Sequence, residues 1–416
     1  MPASPRASEA VSLARARELD AADPLAFARA RFQLPDGIIY LDGNSLGALP
    51  KATPGRLADV VQRQWGEDLI TSWNKNGWIE WPHQIAAMLA PMVGADPDEL
   101  LIADSTSICL FKLIVAAVMA RPGRRVILTE AGNFPTDNYI MQGIAALLPE
   151  TELKIVEREE LIGAIGPDIA VVSLTHVDFR GGKRLDMQAI NAAARAKGAL
   201  AVWDLSHSAG VVTLDLHLSG CELAVGCGYK YLNGGPGAPA FIYVSAGLQD
   251  ELQSPLTGWM GHTDPFAFAG DYRAAGGIRK FLTGTPSVLA LAALSAGLET
   301  FDDIDMQLVE AKTQALTGFF IESVTDLCGI DLSQQDDRCR HGGHVVFPHD
   351  HGYAVMRALV DRGVIGDFRA PNLMRFGFAP LYNRFEEAWR AAEILSEILR
   401  TKSWQEPRFA SRDKVT

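Results

Sequence analysis

The chain has 416 residues, 48% hydrophobic and 21% charged, enough apolar material for a large core divided between two domains. A formal net charge of −12 excludes nucleic acid and anionic lipid as principal partners, because both select basic surfaces. No run reaches the ~20 apolar residues of a membrane span. Cys109, Cys221, Cys227, Cys328 and Cys339 are odd in number and scattered without a CxxC pair, a pattern of reduced thiols in a cytoplasmic protein.

The first 32 residues are rich in Ala and Arg but carry Glu9, Glu18, Asp20 and Asp23 and no hydrophobic signal core. They read as an amphipathic helix packing on the body, not as a targeting peptide. From about residue 97, short β-rich runs alternate with Ala/Leu-rich helical stretches. The strand candidates are ELLIAD (99–104), RRVILTE (124–130), LKIVE (153–157), DIAVVSLTHV (168–177), ALAVWD (199–204), CELAVGC (221–227) and AFIYVS (240–245). This alternation predicts α/β architecture, with a mainly parallel seven-stranded sheet between helices. Past residue 300 come a long helical run (303–326), a polar stretch (333–343), the strand HVVFPH, the helix GYAVMRALVDRG, the strand LMRFGFAP and a final helix from Phe385. That order predicts a smaller α+β domain. The expected divisions are an N-terminal segment 1–50 packing with the small domain, a large domain 51–302 and the small domain 303–416.

Ligands in such sheets sit at the carboxyl ends of the strands. Asp204 ends one strand, His207 follows three residues on, and Lys230 ends the next strand in GCGYKYLNGGPG. Each has an ordinary reading: a helix cap, a core histidine, a solvated cation. Together they match what pyridoxal phosphate needs, a lysine to join the cofactor and an aspartate to keep its ring nitrogen protonated. Ser105, Thr106 and Ser107 open a helix directly after a strand, as N-caps or as a phosphate site. Phe134 and Asp137 follow the next strand; Phe134 is either a face for the ring or part of the core. Arg375, inside an apolar strand, needs an anion, either a structural partner or a bound carboxylate. No GxxxxGK[ST], HExxH or GxSxG motif competes, and His341 and His344 fall on a loop and a strand, not in a metal-ligand set.

YLDGNSLG (40–47), SWNKNGW (72–78), NFPTD (133–137), WDLSHSAG, GCGYKYLNGGPG, GWMGH (258–262) and MRFGFAPLY (374–382) together resemble the kynureninase family. The resemblance runs from about residue 35 to the C-terminus. That family lies within the fold-type I, class V aminotransferase-like group of pyridoxal 5′-phosphate enzymes. It implies hydrolytic cleavage of L-kynurenine to anthranilate and L-alanine in tryptophan catabolism. By resemblance, Lys230 is the Schiff-base lysine, Asp204 the partner of the pyridine nitrogen, and His207 its neighbour. Phe134 stacks on the ring, with Pro135, Thr136 and Asp137 in the same turn. Thr106, Ser107 and Tyr229 contact the phosphate end, and Thr175 is a further cofactor contact. Trp259 and Thr285 match contacts lent by a neighbouring subunit, which implies a homodimer with active sites at its interface. Arg375 is implied to clamp the substrate carboxylate, with Trp73, Asn44, Ser45, His262 and Gly284 around the substrate. Trp73 and Gly284 match members that prefer kynurenine to its 3-hydroxy derivative.

Breaking the Cβ–Cγ bond leaves negative charge on Cβ that must be delocalised. Lys230 is expected to remove the Cα proton, water to add to the γ-carbonyl, and Tyr229 to carry a proton in the later steps. The rival readings are another class V activity and a binding module without turnover. A cysteine desulfurase needs a reactive thiol, for which Cys328 and Cys339 are candidates, the latter between Arg338 and Arg340.

Overall fold

The structure, a computed structural model, describes residues 11–332 and 341–411. Glu9, and the run holding Arg338, Cys339 and Arg340, lie outside the described residues.

Seven strands form one sheet in the spatial order Leu100–Ala103, Ala240–Val244, Leu223–Cys227, Leu200–Asp204, Ile169–Thr175, Val126–Glu130, Glu152–Val156. All run the same way except Ala240–Val244, which pairs antiparallel with both neighbours. Every residue of Ile169–Thr175, Leu200–Asp204 and Leu223–Cys227 is buried. These strands therefore read as continuous apolar runs, as helices on both faces require. Alternate side chains feed two cores. Leu128, Val172, Trp203 and Phe241 join the helices Trp81–Val93, Met187–Ala196 and Val288–Leu298 on one face. Ile127, Val171, Val202 and Ile242 join Thr106–Met119 and Pro135–Leu147 on the other. All seven strands coincide with the runs picked from the sequence.

A third core lies over a three-stranded antiparallel sheet, His344–Pro348, Leu373–Gly377, Asp367–Arg369, packed against Met306–Cys328, Gly352–Asp361 and Phe385–Thr401. The N-terminal helix Leu13–Ala21 joins this core through Ala16. Farther on, Ile39–Tyr40 adds a parallel pairing to Val364–Ile365. Charges fix the segment in place. Asp20 accepts from Phe385 N (2.7 Å) and Glu386 N (3.0 Å), satisfying orphan donors of the last helix. Asp23 pairs with Lys312 at 2.7 Å, both side chains almost wholly buried. Burial pushes the Lys312 ammonium down, and Asp23 opposes that shift.

Removing Asp23 leaves that ammonium buried without its carboxylate. Asp23→Ala should cost about 3–5 kcal/mol of unfolding free energy, read from urea unfolding, while Asp36→Ala at an exposed position stays within about 0.5 kcal/mol. Equal costs for the two would show that the buried pair is not what holds the segment.

Candidate active site

The strand ends converge at the carboxyl edge of the large sheet. Thr175 stands opposite Asp204, and Asp204 opposite Val225, in adjacent parallel strands, so the turns after them share one side. Asp204 is buried, and its Oδ1 accepts from Ser206 N at 2.8 Å. Burial raises the Asp204 carboxyl, while the Lys230 ammonium and Ser206 pull it back. Lys230 Nζ lies 5.9 Å from the centroids of both Phe134 and Tyr229. His207 is buried with Nδ1 lacking any partner in the protein. Burial and then the nearby Lys230 cation push it well below the usual histidine range, so the ring is neutral. Burial raises the Tyr229 phenol, with Cys227 and Asp204 adding to the shift.

A second layer holds the ring-facing residues. Asn133 is buried, and its Oδ1 accepts from Phe134 N (2.9 Å), Thr175 N (3.1 Å) and the Thr175 hydroxyl. Its Nδ2 donates to Thr129 Oγ1 at 3.1 Å. The two backbone donors fix which end of the amide is oxygen. Asn133 thus ties the end of one strand to the Phe134–Pro135–Thr136–Asp137 turn that opens the next helix. Phe134 also meets Phe179 edge-on at 5.1 Å. Asp137, 3.4 Å from the Thr175 hydroxyl, is raised well above the ordinary carboxylate range, first by burial and then by the charge of Asp204.

The turn before Thr106–Met119 has the features of an anion site. No side chain caps this helix, and Thr106 Oγ1 is buried without a partner in the protein. Helix N–H groups with a spare hydroxyl suit a phosphate. With Lys230, Asp204 and the orphaned His207 nitrogen, these residues fit pyridoxal phosphate.

Arg375 comes to the same edge from the smaller sheet. It is buried; Nε donates to Asp367 Oδ1 at 2.8 Å and Nη2 to Asp367 Oδ2, while Nη2 also donates to Ser45 Oγ (3.1 Å) and Nη1 to the Phe179 carbonyl (3.0 Å). Four of the five guanidinium N–H groups are thereby used and one remains on Nη1. The wholly buried Asn44 amide, turned with its oxygen toward Arg375, accepts from Nε at 2.9 Å and Nη2 at 3.2 Å. A Cβ at position 377 would fall on that amide, so glycine is required there. The structural ion pair anticipated as one reading of Arg375 is present, and Asp367 is its partner.

Sequence reasoning missed Asn133, Asp367, Phe179 and Asp42. Asn133 lay inside a quoted motif without a role, and Asp367 sits in a three-residue strand too short to show a period. Trp73 packs edge-on against Trp78 at 5.8 Å, and His262 Nδ1 lies 2.7 Å from the Asp264 carbonyl with Nε2 unpartnered. Gly284 and Thr285 are exposed. Among the described residues no hydrogen bond or ring contact joins Trp73, Trp259, His262, Gly284 or Thr285 to Lys230 of the same chain. Cys328 donates to the Ala392 carbonyl, and burial pushes its thiol up to about 12, so it is no nucleophile. Away from the site, Asp96, Glu99 and His217 converge, but Glu99 already accepts from Ala246 N (2.7 Å) and Asp96 N (3.1 Å).

The sheet order and strand-end constellation define the class, the fold-type I pyridoxal phosphate enzymes. A cysteine desulfurase from Thermococcus onnurineus shares the fold with a TM-score of 0.75 at 19% identity, covering 90% of this chain and 98% of that one. A cysteine desulfurase from Escherichia coli gives a TM-score of 0.72 at 19% identity, over 91% and 98%. At such identity the likeness is one of fold alone. Sequence comparison is more specific: residues 309–395 match the kynureninase C-terminal domain. Kynureninase of Pseudomonas fluorescens is 48% identical over 407 residues, 96% of this chain and 98% of that one. That of Deinococcus radiodurans is 46% identical over 398 residues, 94% and 97%. The chain belongs to the kynureninase family.

Asp42, beside Ser45 and Asp367, is raised to about 7, by burial first and then by Asp367, with Arg375 and Arg369 opposing. A carboxyl raised in the fold ionises earlier in the unfolded chain, so stability is lost as pH climbs from the usual carboxylate value near 4 to about 7. Asp42→Asn should therefore raise the thermal midpoint at pH 8, and the gain should vanish toward pH 4. A gain that is constant across this range would contradict the assignment.

Proposed function

We propose that this chain is a pyridoxal 5′-phosphate-dependent hydrolase that adds water across the Cβ–Cγ bond of L-kynurenine, yielding anthranilate and L-alanine in tryptophan catabolism, with weaker action on 3-hydroxykynurenine. The observation that carries the reading is Lys230 at a strand end, facing Phe134 and electrostatically coupled to buried Asp204, in a chain 48% identical to a kynureninase.

When bound, the cofactor supplies an electron sink conjugated to the substrate amino group. Thr106 and Ser107, with the free N–H groups of their helix, would hold its phosphate together with Tyr229. Phe134 would cover one face of the ring, and Thr175, oriented by Asn133, would meet its edge. Asp204, buried beside a cation, would hold a proton at the pyridine nitrogen, while neutral His207 adds no competing charge there. Lys230 is the base for the Cα proton. Tyr229 stays protonated because burial raises it, so it can donate a proton after the bond breaks. Arg375, held rigid by Asp367, would present its remaining N–H to the substrate carboxylate, with Asn44 and Ser45 beside it.

The likeness to desulfurases is one of fold at 19% identity and supports no second reading; burial of the half-exposed Cys328 raises its thiol. Trp259 and Thr285 belong, in this proposal, to the site of a second copy, His262 lies near the substrate, and Trp73 and Gly284 form the aryl pocket that favours kynurenine. Phe266 and Phe268, 57% and 76% exposed beside Trp259, support a homodimer. The free thiols of Cys109, Cys221, Cys227 and Cys328 support a cytoplasmic location. Two sheets with their own cores support a division into a large domain over 51–302 and a small one over 303–416. The N-terminal segment contributes Ala16 and Leu41 to the small core and Leu25, Ala28, Phe32 and Ala48 to the large one.

Cofactor-loaded protein mixed with L-kynurenine should release anthranilate, followed by its fluorescence, and alanine in equal amounts. Lack of anthranilate, with cofactor absorbance still responding to amino acids, would discard kynurenine as substrate. Lys230→Ala should abolish turnover without added amine. Tyr229→Phe should keep the cofactor but slow turnover by about 10²-fold or more; unchanged turnover would remove Tyr229 from proton transfer.

A further inference from the structure

Lys112 is a lysine with no exposed surface, on the second turn of the helix that begins at Thr106. A buried ammonium is expensive unless fully paired, and the proposed reaction makes no use of it. Its Nζ lies 2.5 Å from Asp104 Oδ2 and 2.6 Å from the Phe281 carbonyl. Asp104 is two residues before Thr106 and holds the left-handed backbone conformation at φ 46°, which Asp tolerates better than most non-glycine residues. The Asp104 carbonyl accepts from Ala240 N at 3.0 Å, at the far end of the glycine-rich loop that follows Lys230. One residue thus joins the strand, the anion-binding turn and that loop.

The arrangement poses an electrostatic problem. A carboxylate at the entrance of a helix N-terminus competes with any phosphate brought there. Lys112 cancels that charge and pulls the carboxylate back along the helix. Its other acceptor, Phe281, begins the stretch Leu282–Thr285, in which the Thr283 carbonyl accepts from Met260 N at 3.2 Å. The turn carrying Trp259 and the loop carrying Thr285 are therefore anchored to the same ammonium.

We propose that Lys112 is a positioning residue for cofactor-phosphate binding: it neutralises Asp104 beside the Thr106 turn and fixes that turn to the Phe281–Thr285 segment. This rests on the reading of Thr106 and Ser107 as phosphate contacts. The test titrates cofactor-free full-length protein with pyridoxal 5′-phosphate, following quenching of tryptophan fluorescence, beside thermal midpoints of the same cofactor-free proteins. Lys112→Met strands the carboxylate and should raise Kd about tenfold. Asp104→Asn leaves the cation and should bind as tightly as the parent or more tightly. The double variant should return to within about threefold of the parent. A pair that only stabilises the fold predicts instead that Asp104→Asn weakens binding in step with its thermal midpoint, and that result overturns the proposal even if Lys112→Met does not fold. Failure of the parent protein to bind the cofactor would overturn the phosphate-site reading itself.

Discussion

The constraint on which this site depends is the burial of more negative than positive charge at one sheet edge. Asp204 and Asp137 are both desolvated, both raised by that burial, and share the single ammonium of Lys230. Water would dissipate such a cluster, whereas a closed strand end cannot. The carboxyl groups are consequently biased toward holding protons, and Asp137 also feels the charge of Asp204. The same burial leaves the neighbouring His207 neutral. The same desolvation keeps the Tyr229 phenol from ionising. One physical cause thus sets the protonation of the lysine's neighbours.

Such a cluster holds its geometry only if groups outside it are fully committed. Asn133 spends its amide on three donors and one acceptor, leaving Thr175 and the Phe134 turn no freedom to drift. Gly47 lets the Asn44–Ser45 loop press on the backbone of Lys230: its N–H donates to the Tyr229 carbonyl at 2.8 Å, and a Cβ there would collide with the Lys230 carbonyl and with Asn233. The loop from the N-terminal segment therefore packs on the Lys230 backbone while Ser45 and Asn44 meet Arg375.

The large sheet was legible because six of its seven strands are buried on both faces, so local apolar runs mark them; the edge strand Glu152–Val156 is exposed or half-buried. The residues at its strand ends were legible for a related reason. Each polar residue ending an apolar run, as Asp204 does after ALAVW, has an ordinary use alone, but several at one sheet edge together point to a ligand. What remained hidden depends on long-range pairing. Ile39–Tyr40 is a strand only because Val364–Ile365 lies beside it, and two residues carry no period. Asp367 reads as a loop carboxylate until Leu373–Gly377 folds against it and brings Arg375 into register opposite. Asn133 is recognised only when Thr175, 42 residues away in sequence, comes within hydrogen-bond reach.

Arg375 shows why the two units work as one. An arginine with a free fork would bind a carboxylate with two hydrogen bonds, but its side chain would have to be ordered each time. Here Asp367 and Ser45 hold one side of the guanidinium, and the Phe179 carbonyl holds Nη1. Phe179 belongs to the large unit and packs against Phe134, so the arginine is referenced to the ring-stacking face as well as to its own sheet. The pairing reduces the net positive charge a ligand meets and removes most of the motion. Such a group discriminates by position more than by strength of attraction. It fits a site that must hold a carboxylate in one orientation relative to the Phe134 face.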